Sequence, residues 1–161
     1  MKKSCVILVA LLVILCSYAS SSVEASTVIG LKNGAGAGIL GLEIENEFDS
    51  GLAVGIVGGL AAVLNPVTLD PIAGVSAAGT VRYYIATSGN VRPFGGGFGG
   101  IVAISDGTTN ITIPLFGVTG GAELRLGKFR ITGELGYGGT VLESEGFIGA
   151  LASGVSLGYI F

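Results

Sequence analysis

The 161-residue chain has no histidine and no tryptophan, and its only two cysteines, Cys5 and Cys16, lie close to its start. Without histidine, His-based triads, His–carboxylate proton relays and the commonest metal ligand are excluded. Charge is scarce too: 12% of residues are Asp, Glu, Lys or Arg, about half the usual share for a soluble domain. Net charge is −3 with no basic cluster, which leaves no electrostatic footprint for nucleic acid. What the chain has in quantity is apolar side chains, 50% of residues, dispersed among 30 glycines. A disordered chain is polar and charged instead, and a soluble domain carries more charge on its exterior, so neither class fits.

Residues 1–25 read as an export signal. Lys2 and Lys3 give the positive start, and Cys5 to Leu15 is an apolar run too short to span a bilayer, which needs about 20 residues. Small residues at the cleavage positions allow processing after Ala19 (Ser17-Tyr18-Ala19) or after Ala25 (Val23-Glu24-Ala25), the second being favoured. Either leaves a cysteine-free chain with no disulfide, thiol catalysis or thiolate metal site. Cys16, straight after the apolar run, offers a rival reading as a lipidated residue, but Leu15 is bulky where that processing has a small residue.

Residues 26–161 show no linker. Period-2 alternation between turn signals predicts eight strands, roughly 27–34, 38–48, 52–64, 74–87, 90–104, 111–126, 129–142 and 147–161. Most exceed the ~9–11 residues a tilted strand needs to cross a bilayer. In the last, Phe147, Leu151, Val155, Leu157, Tyr159 and Phe161 share one face, while Ala150, Ala152, Gly154, Ser156 and Gly158 share the other. Large apolar groups on one face and small ones on the other suit a narrow closed barrel in lipid. At 38–48, Leu40, Leu42, Ile44 and Phe48 oppose Glu43, Glu45 and Glu47. The run 51–64 is too short for a transmembrane helix and rich in helix-weakening glycine. A soluble barrel of lipocalin type would carry many outward charges, and these strands have almost none.

Turn parity tests the faces. A three-residue loop Asp49-Ser50-Gly51 pairs Phe48 with Leu52, and Gly127-Lys128 pairs Leu126 with Phe129. Ser88-Gly89 as a two-residue turn pairs Tyr83 with Phe94 and Ile85 with Arg92, which places Phe94 and Arg92 outward and Pro93 inward. These short turns alternate with longer or more polar connections near 65–73, 105–110 and 143–146, the asymmetry of membrane barrels. Outward Phe48, Tyr83, Phe94, Phe129, Tyr159 and Phe161 fall near the short-turn end, and Phe116, Tyr137 and Phe147 toward the other, as two aromatic girdles.

The inward charges are Glu43, Glu45, Glu47, Arg82, Glu123, Arg125, Arg130 and Glu134. Unpaired charge in so narrow a space is costly, so they are expected to pair as a plug that fills the lumen and fixes the register. Arg125 and Arg130 fall opposite each other, which requires an intervening carboxylate. A gated ion path or binding site is the lesser reading, and catalysis by paired carboxylates a lesser one still. GGGFGG at 95–100 formally contains G-x-G-x-x-G but precedes no helix, so a dinucleotide site is not expected. Asn110-Ile111-Thr112 is a formal glycosylation sequon, of little weight in a bacterial host.

The terminal GVSLGYIF, with Leu157, Tyr159 and Phe161 at alternating positions, resembles the signal by which outer-membrane barrels are recognised for assembly. NVRPFGGGFGG (90–100), GGAELRLGKFRITGELGYG (120–138) and the Tyr83-Tyr84 pair are similar to small OmpA/OmpX-type barrels. The resemblance covers roughly 38–161. It implies an eight-stranded antiparallel up-and-down transmembrane barrel, exported by a cleavable signal peptide to an outer membrane. The partners it implies are the bilayer and the outer-membrane assembly machinery. Two departures stand out: an upper lumen largely of Gly and Ala, and short loops, which put a partner-binding role in doubt. The expectation is therefore a structural or interaction protein with no catalytic, cofactor or metal site. The rival is a small-ligand, lipid-binding or narrow-pore barrel that uses the Gly/Ala-rich lumen.

Overall fold

In a computed structural model the described residues are 25–64, 71–85, 89–105, 110–142 and 146–161. Residues 1–24, with both cysteines and all but the last residue of the expected 1–25 export signal, lie outside them. Eight strands follow in order: β1 (Ala25–Gly34), β2 (Gly38–Phe48), β3 (Leu52–Leu64), β4 (Pro71–Tyr84), β5 (Val91–Ser105), β6 (Asn110–Leu126), β7 (Phe129–Leu142) and β8 (Gly146–Ile160). Each pairs antiparallel with the next, and β8 closes on β1. The run at 52–64 is strand, not helix.

Register fixes the shape. From Tyr159, successive partners run through Ile29, Ile44, Ile56, Gly79, Gly99, Phe116 and Gly139 to Gly149, ten residues along β8 from the start. With eight strands about 4.8 Å apart and a rise of about 3.3 Å per residue, that shear tilts the strands about 40°. Such a barrel has an interior just wide enough for side chains to fill.

Two of the three short turns form as the parity predicts. Gly51 takes a φ of 81°, and its N–H bonds the Phe48 carbonyl at 2.9 Å. Leu126 pairs with Phe129 around Gly127, whose φ is 63°. The third differs. Tyr84, not Tyr83, pairs with Phe94, and the Ile85 N–H bonds the Pro93 carbonyl. Ser88 lies outside the described residues. This connection is one residue longer than a Ser88-Gly89 turn allows, and a one-residue change inverts every side chain of the strand that follows. Phe94 is therefore buried (4% exposed) and Arg92 points into the lumen, while Pro93, Gly95 and Gly99 face outward. The packing explains the choice: Phe94 lies against Tyr84 at 5.4 Å, and Arg92 reaches carboxylates instead of pointing outward.

The outer wall is largely apolar all round, with a few neutral polar groups such as Asn33, Asn46 and Ser153. Among the described residues no charged side chain stands on the outward face of a strand. Large apolar groups protrude there, with Leu135 71% exposed and Leu151 90% exposed. Without Phe94, the aromatics still form two clusters. Phe129, Tyr159 and Phe161 stack edge-to-face at the short-turn end. Phe116, Tyr137 and Phe147 meet at the other.

Candidate functional site

The lumen is the chemically distinctive part of the molecule. It is charged toward the short-turn end and apolar toward the other. All eight ionisable residues read as inward from the sequence point into it, joined by Lys32 and Arg92. Lys32 follows Val28 and Gly30 on the inner face of β1, while Ile29 and Leu31 point out. The alternation that exposes the other inward charges was thus present in β1 as well. Arg92 is inward because of the β5 register. Five carboxylates thereby meet five cations.

At the mouth, Arg92 Nη2 lies 2.6 Å from Glu47 Oε1, and Arg125 binds the other oxygen of Glu47. Arg125 Nε donates to Glu123 Oε1 at 2.5 Å, and the Arg92 guanidinium stacks 4.5 Å from the Tyr84 ring centre. One layer deeper, Glu45 binds Arg82 and Arg130 and accepts a 3.2 Å hydrogen bond from the Tyr84 hydroxyl. Arg130 Nη2 also reaches Glu43 at 2.9 Å, and its Nη1 lies 3.4 Å from Glu123. Above these, Arg82 bridges Glu43 (2.9 Å) and Glu134 (3.1 Å), and Lys32 Nζ sits 2.7 Å from Glu134. Glu134, near Arg125 and Arg130 in register, thus pairs instead with Lys32 and Arg82. Glu43 and Glu45 reach across the lumen to Arg130, as the narrow interior permits.

Apolar groups close the lumen above this network. The β1–β2 turn folds inward, so that Ala35 and Ala37 are buried although they belong to a hairpin tip. Ala37 clusters with Val57 and Ala78. The Phe98 ring lies over β6 and β7, where a Cβ on Gly117 or Gly138 would come within 2.7–2.8 Å of it. Higher still, Ala61, Val102 and Ile104 pack with Ile113 and Leu115. Just above the network the lumen is therefore mostly apolar and filled by larger side chains and a turn as well as by Gly and Ala, whereas toward the rim Ile113 and Leu115 stay only partly buried.

Below the network, an open cavity of about 740 Å³ occupies the short-turn mouth. Ser26, Glu47, Asp49, Arg92, Arg125 and Phe161 help to line it. Leu157, Tyr159 and Phe161 lie on the outer face of β8, and Phe161 donates its N–H to Thr27 at 2.9 Å. Among the described residues no group of three or more His, Cys, Asp or Glu is arranged to hold a metal.

No protein-family model matches the chain, and no curated protein matches it. Solved structures do. The fold is similar to the N-terminal β-barrel domain of OprF from Pseudomonas aeruginosa, with a TM-score of 0.57 and 13% identity over 85% of this chain and 96% of that one. It is also similar to Neisserial surface protein A, NspA, with a TM-score of 0.55 and 12% identity over 84% and 92%. At these identities the likeness is one of fold.

Proposed function

We propose that this closed eight-stranded barrel resides in an outer membrane as a structural or interaction protein without catalysis, and that it is exported by a signal peptide spanning residues 1–25. One observation carries the reading. The outward face is uncharged and largely apolar around the circumference of the described strands and carries aromatic clusters toward both ends, while ten ionisable groups point inward and pair. In water that arrangement is inverted; in a bilayer it is the expected one.

With an even number of strands, the start of β1, the end of β8 and the short turns share one side, read here as the periplasmic one. Leu157, Tyr159 and Phe161, outward on the last strand, are available to the assembly machinery at that end. The ion-pair network Glu43, Glu45, Glu47, Arg82, Glu123, Arg125, Arg130 and Glu134, with Lys32 and Arg92, acts as a plug that holds the walls in register. In the fold class an eight-stranded interior is filled, not an aqueous channel.

Two measurements test this. The detergent-extracted mature protein should run as a compact band unless boiled, with β-type circular dichroism. In planar bilayers it should show no steady conductance. Loss of heat-modifiable mobility overturns the membrane barrel, and steady conductance overturns the plug.

A further inference from the structure

The β1–β2 hairpin is short, and it leaves a gap in the wall. β1 pairs with β8 only from Val28 to Gly34, opposite Ile160 to Gly154. Among the described residues, the upper part of β8, Gly146 to Ser153, has β7 on one side and no strand on the other. On the far flank, β2–β3 pairing ends at Leu40 and Leu60, while β3 continues to Leu64. At about 40° tilt the hairpin tip lies on the order of 10 Å below the rim formed by the other strands. The result is a lateral notch with the buried Ala35–Ala37 turn as its sill.

Two further observations characterise it. First, the notch opens into the apolar upper lumen. Ile148 and Ala150 belong to the inner face of β8 yet are exposed, and Ile113 and Leu115 on β6 are only partly buried. Second, its edge is polar backbone. Phe161 donates its N–H toward β1 and Ile160 toward the β6–β7 turn, so the odd-numbered groups of β8 point to the β1 side. Among the described residues, the N–H and C=O groups of Phe147, Gly149 and Leu151 thus enter the notch without a strand to meet them. The aromatic cluster Phe116, Tyr137 and Phe147 sets this level at the upper membrane interface.

From this geometry, and resting on the membrane reading above, we infer that the notch is a side entrance through which one acyl chain of a bilayer lipid lodges in the upper lumen. The chemistry selects this occupant. Apart from the Thr140 hydroxyl beside Ile148, the groove walls are apolar and continuous with the lipid-facing surface. The sill makes the groove blind, so a chain enters from the side and stops above the ion pairs. A lipid's ester or amide group lies at interface depth, where it and interfacial water can satisfy the free β8 edge. A bare hydrocarbon offers no such partners, and an open edge in hydrocarbon is not otherwise tolerated.

The test uses the intact protein, folded in vesicles of a phospholipid whose acyl chain carries a diazirine. After photolysis, labelled residues are mapped by mass spectrometry. Label on inward-facing Leu115 or Ala152, alongside outward Leu135, supports the entrance. Ala150→Phe, which narrows the groove, should lower the inward label several-fold and leave Leu135 unchanged. Label confined to outward residues, or inward label unmoved by Ala150→Phe, overturns the entrance alone. No label at Leu135 in heat-modifiable protein overturns the membrane reading and the entrance with it.

Discussion

Arg125 and Arg130 face each other across the β6–β7 hairpin, and one buried carboxylate, Glu123, lies within ion-pair reach of both. Directly opposed like charges destabilise a sheet, so this carboxylate turns a repulsive pair into a bridge. Glu123→Gln keeps the volume but removes the charge. Removing one partner of a buried ion pair costs about 3–5 kcal/mol. The variant should unfold at markedly lower urea concentration in vesicles than the parent, and an unchanged midpoint would show the bridge to be dispensable. Arg125 keeps Glu47, and Arg130 keeps Glu43 and Glu45, so the barrel should still assemble.

The outer wall invites a second test. Leu135 is 71% exposed and lies on β7 between the two aromatic clusters, six residues from Phe129 and two from Tyr137. On a protein in water, Leu135→Arg is nearly neutral. At a bilayer midplane, arginine costs about 2–4 kcal/mol, falling to about 0–1 near the interface. Leu135→Arg should therefore destabilise the vesicle-folded barrel strongly, while Leu126→Arg, beside the Gly127-Lys128 turn, should do so little. Equal effects would contradict the proposed depth.

The register of β5 makes a third prediction. Phe94 is buried against Tyr84, with the Arg82 guanidinium carbon 5.3 Å from its ring centre. Phe129, on the outer face, meets Tyr159 at 5.4 Å but remains 55% exposed. Phe94→Ala opens a hole in the lumen packing and should cost about 3–5 kcal/mol. Phe129→Ala leaves no cavity, because lipid refills the space, and should cost clearly less. Urea unfolding of the two variants in vesicles compares them directly, and equal costs would return Phe94 to the outer face.

How far the sequence was legible follows from these same residues. Strands such as β2 and β8 declare their faces, since bulky apolar side chains alternate with Glu, Ser or Gly. β5 does not: Gly95, Gly96, Gly97, Gly99 and Gly100 leave both faces small, so its orientation hung on one turn. The turn is a residue longer than the Ser-Gly signal suggests, and the whole strand inverted. Lys32 was legible in principle, because β1 alternates as the others do, but the strand is short and its signal weak. Which cation meets which carboxylate was not legible, since cross-lumen distances depend on shear and radius, which no single strand encodes. The notch was hidden for the same reason: its height emerges only when register offsets accumulate around the barrel.

Glycines supply the sharpest remaining test, because β5 carries them on both faces. Gly95 and Gly99 face outward with negative-φ backbones, and a Cβ at either meets no atom within 4 Å. Alanine there costs the folded state nothing and restricts the unfolded chain, which should stabilise by about 0.4–1 kcal/mol. Gly117 and Gly138 face inward beneath Phe98. A Cβ on Gly117 lies 2.7 Å from both the Phe98 ring and the Gly138 Cα, so it cannot be cleared by a side-chain rotation alone. Gly117→Ala should destabilise by about 1–3 kcal/mol, the usual consequence of overpacking. The two substitutions are chemically identical and should move the urea midpoint in vesicles in opposite directions. If β5 instead followed the parity of a Ser88-Gly89 turn, Gly95 and Gly99 would line the lumen, and Gly99→Ala would then destabilise, a reversal of sign that would overturn the register.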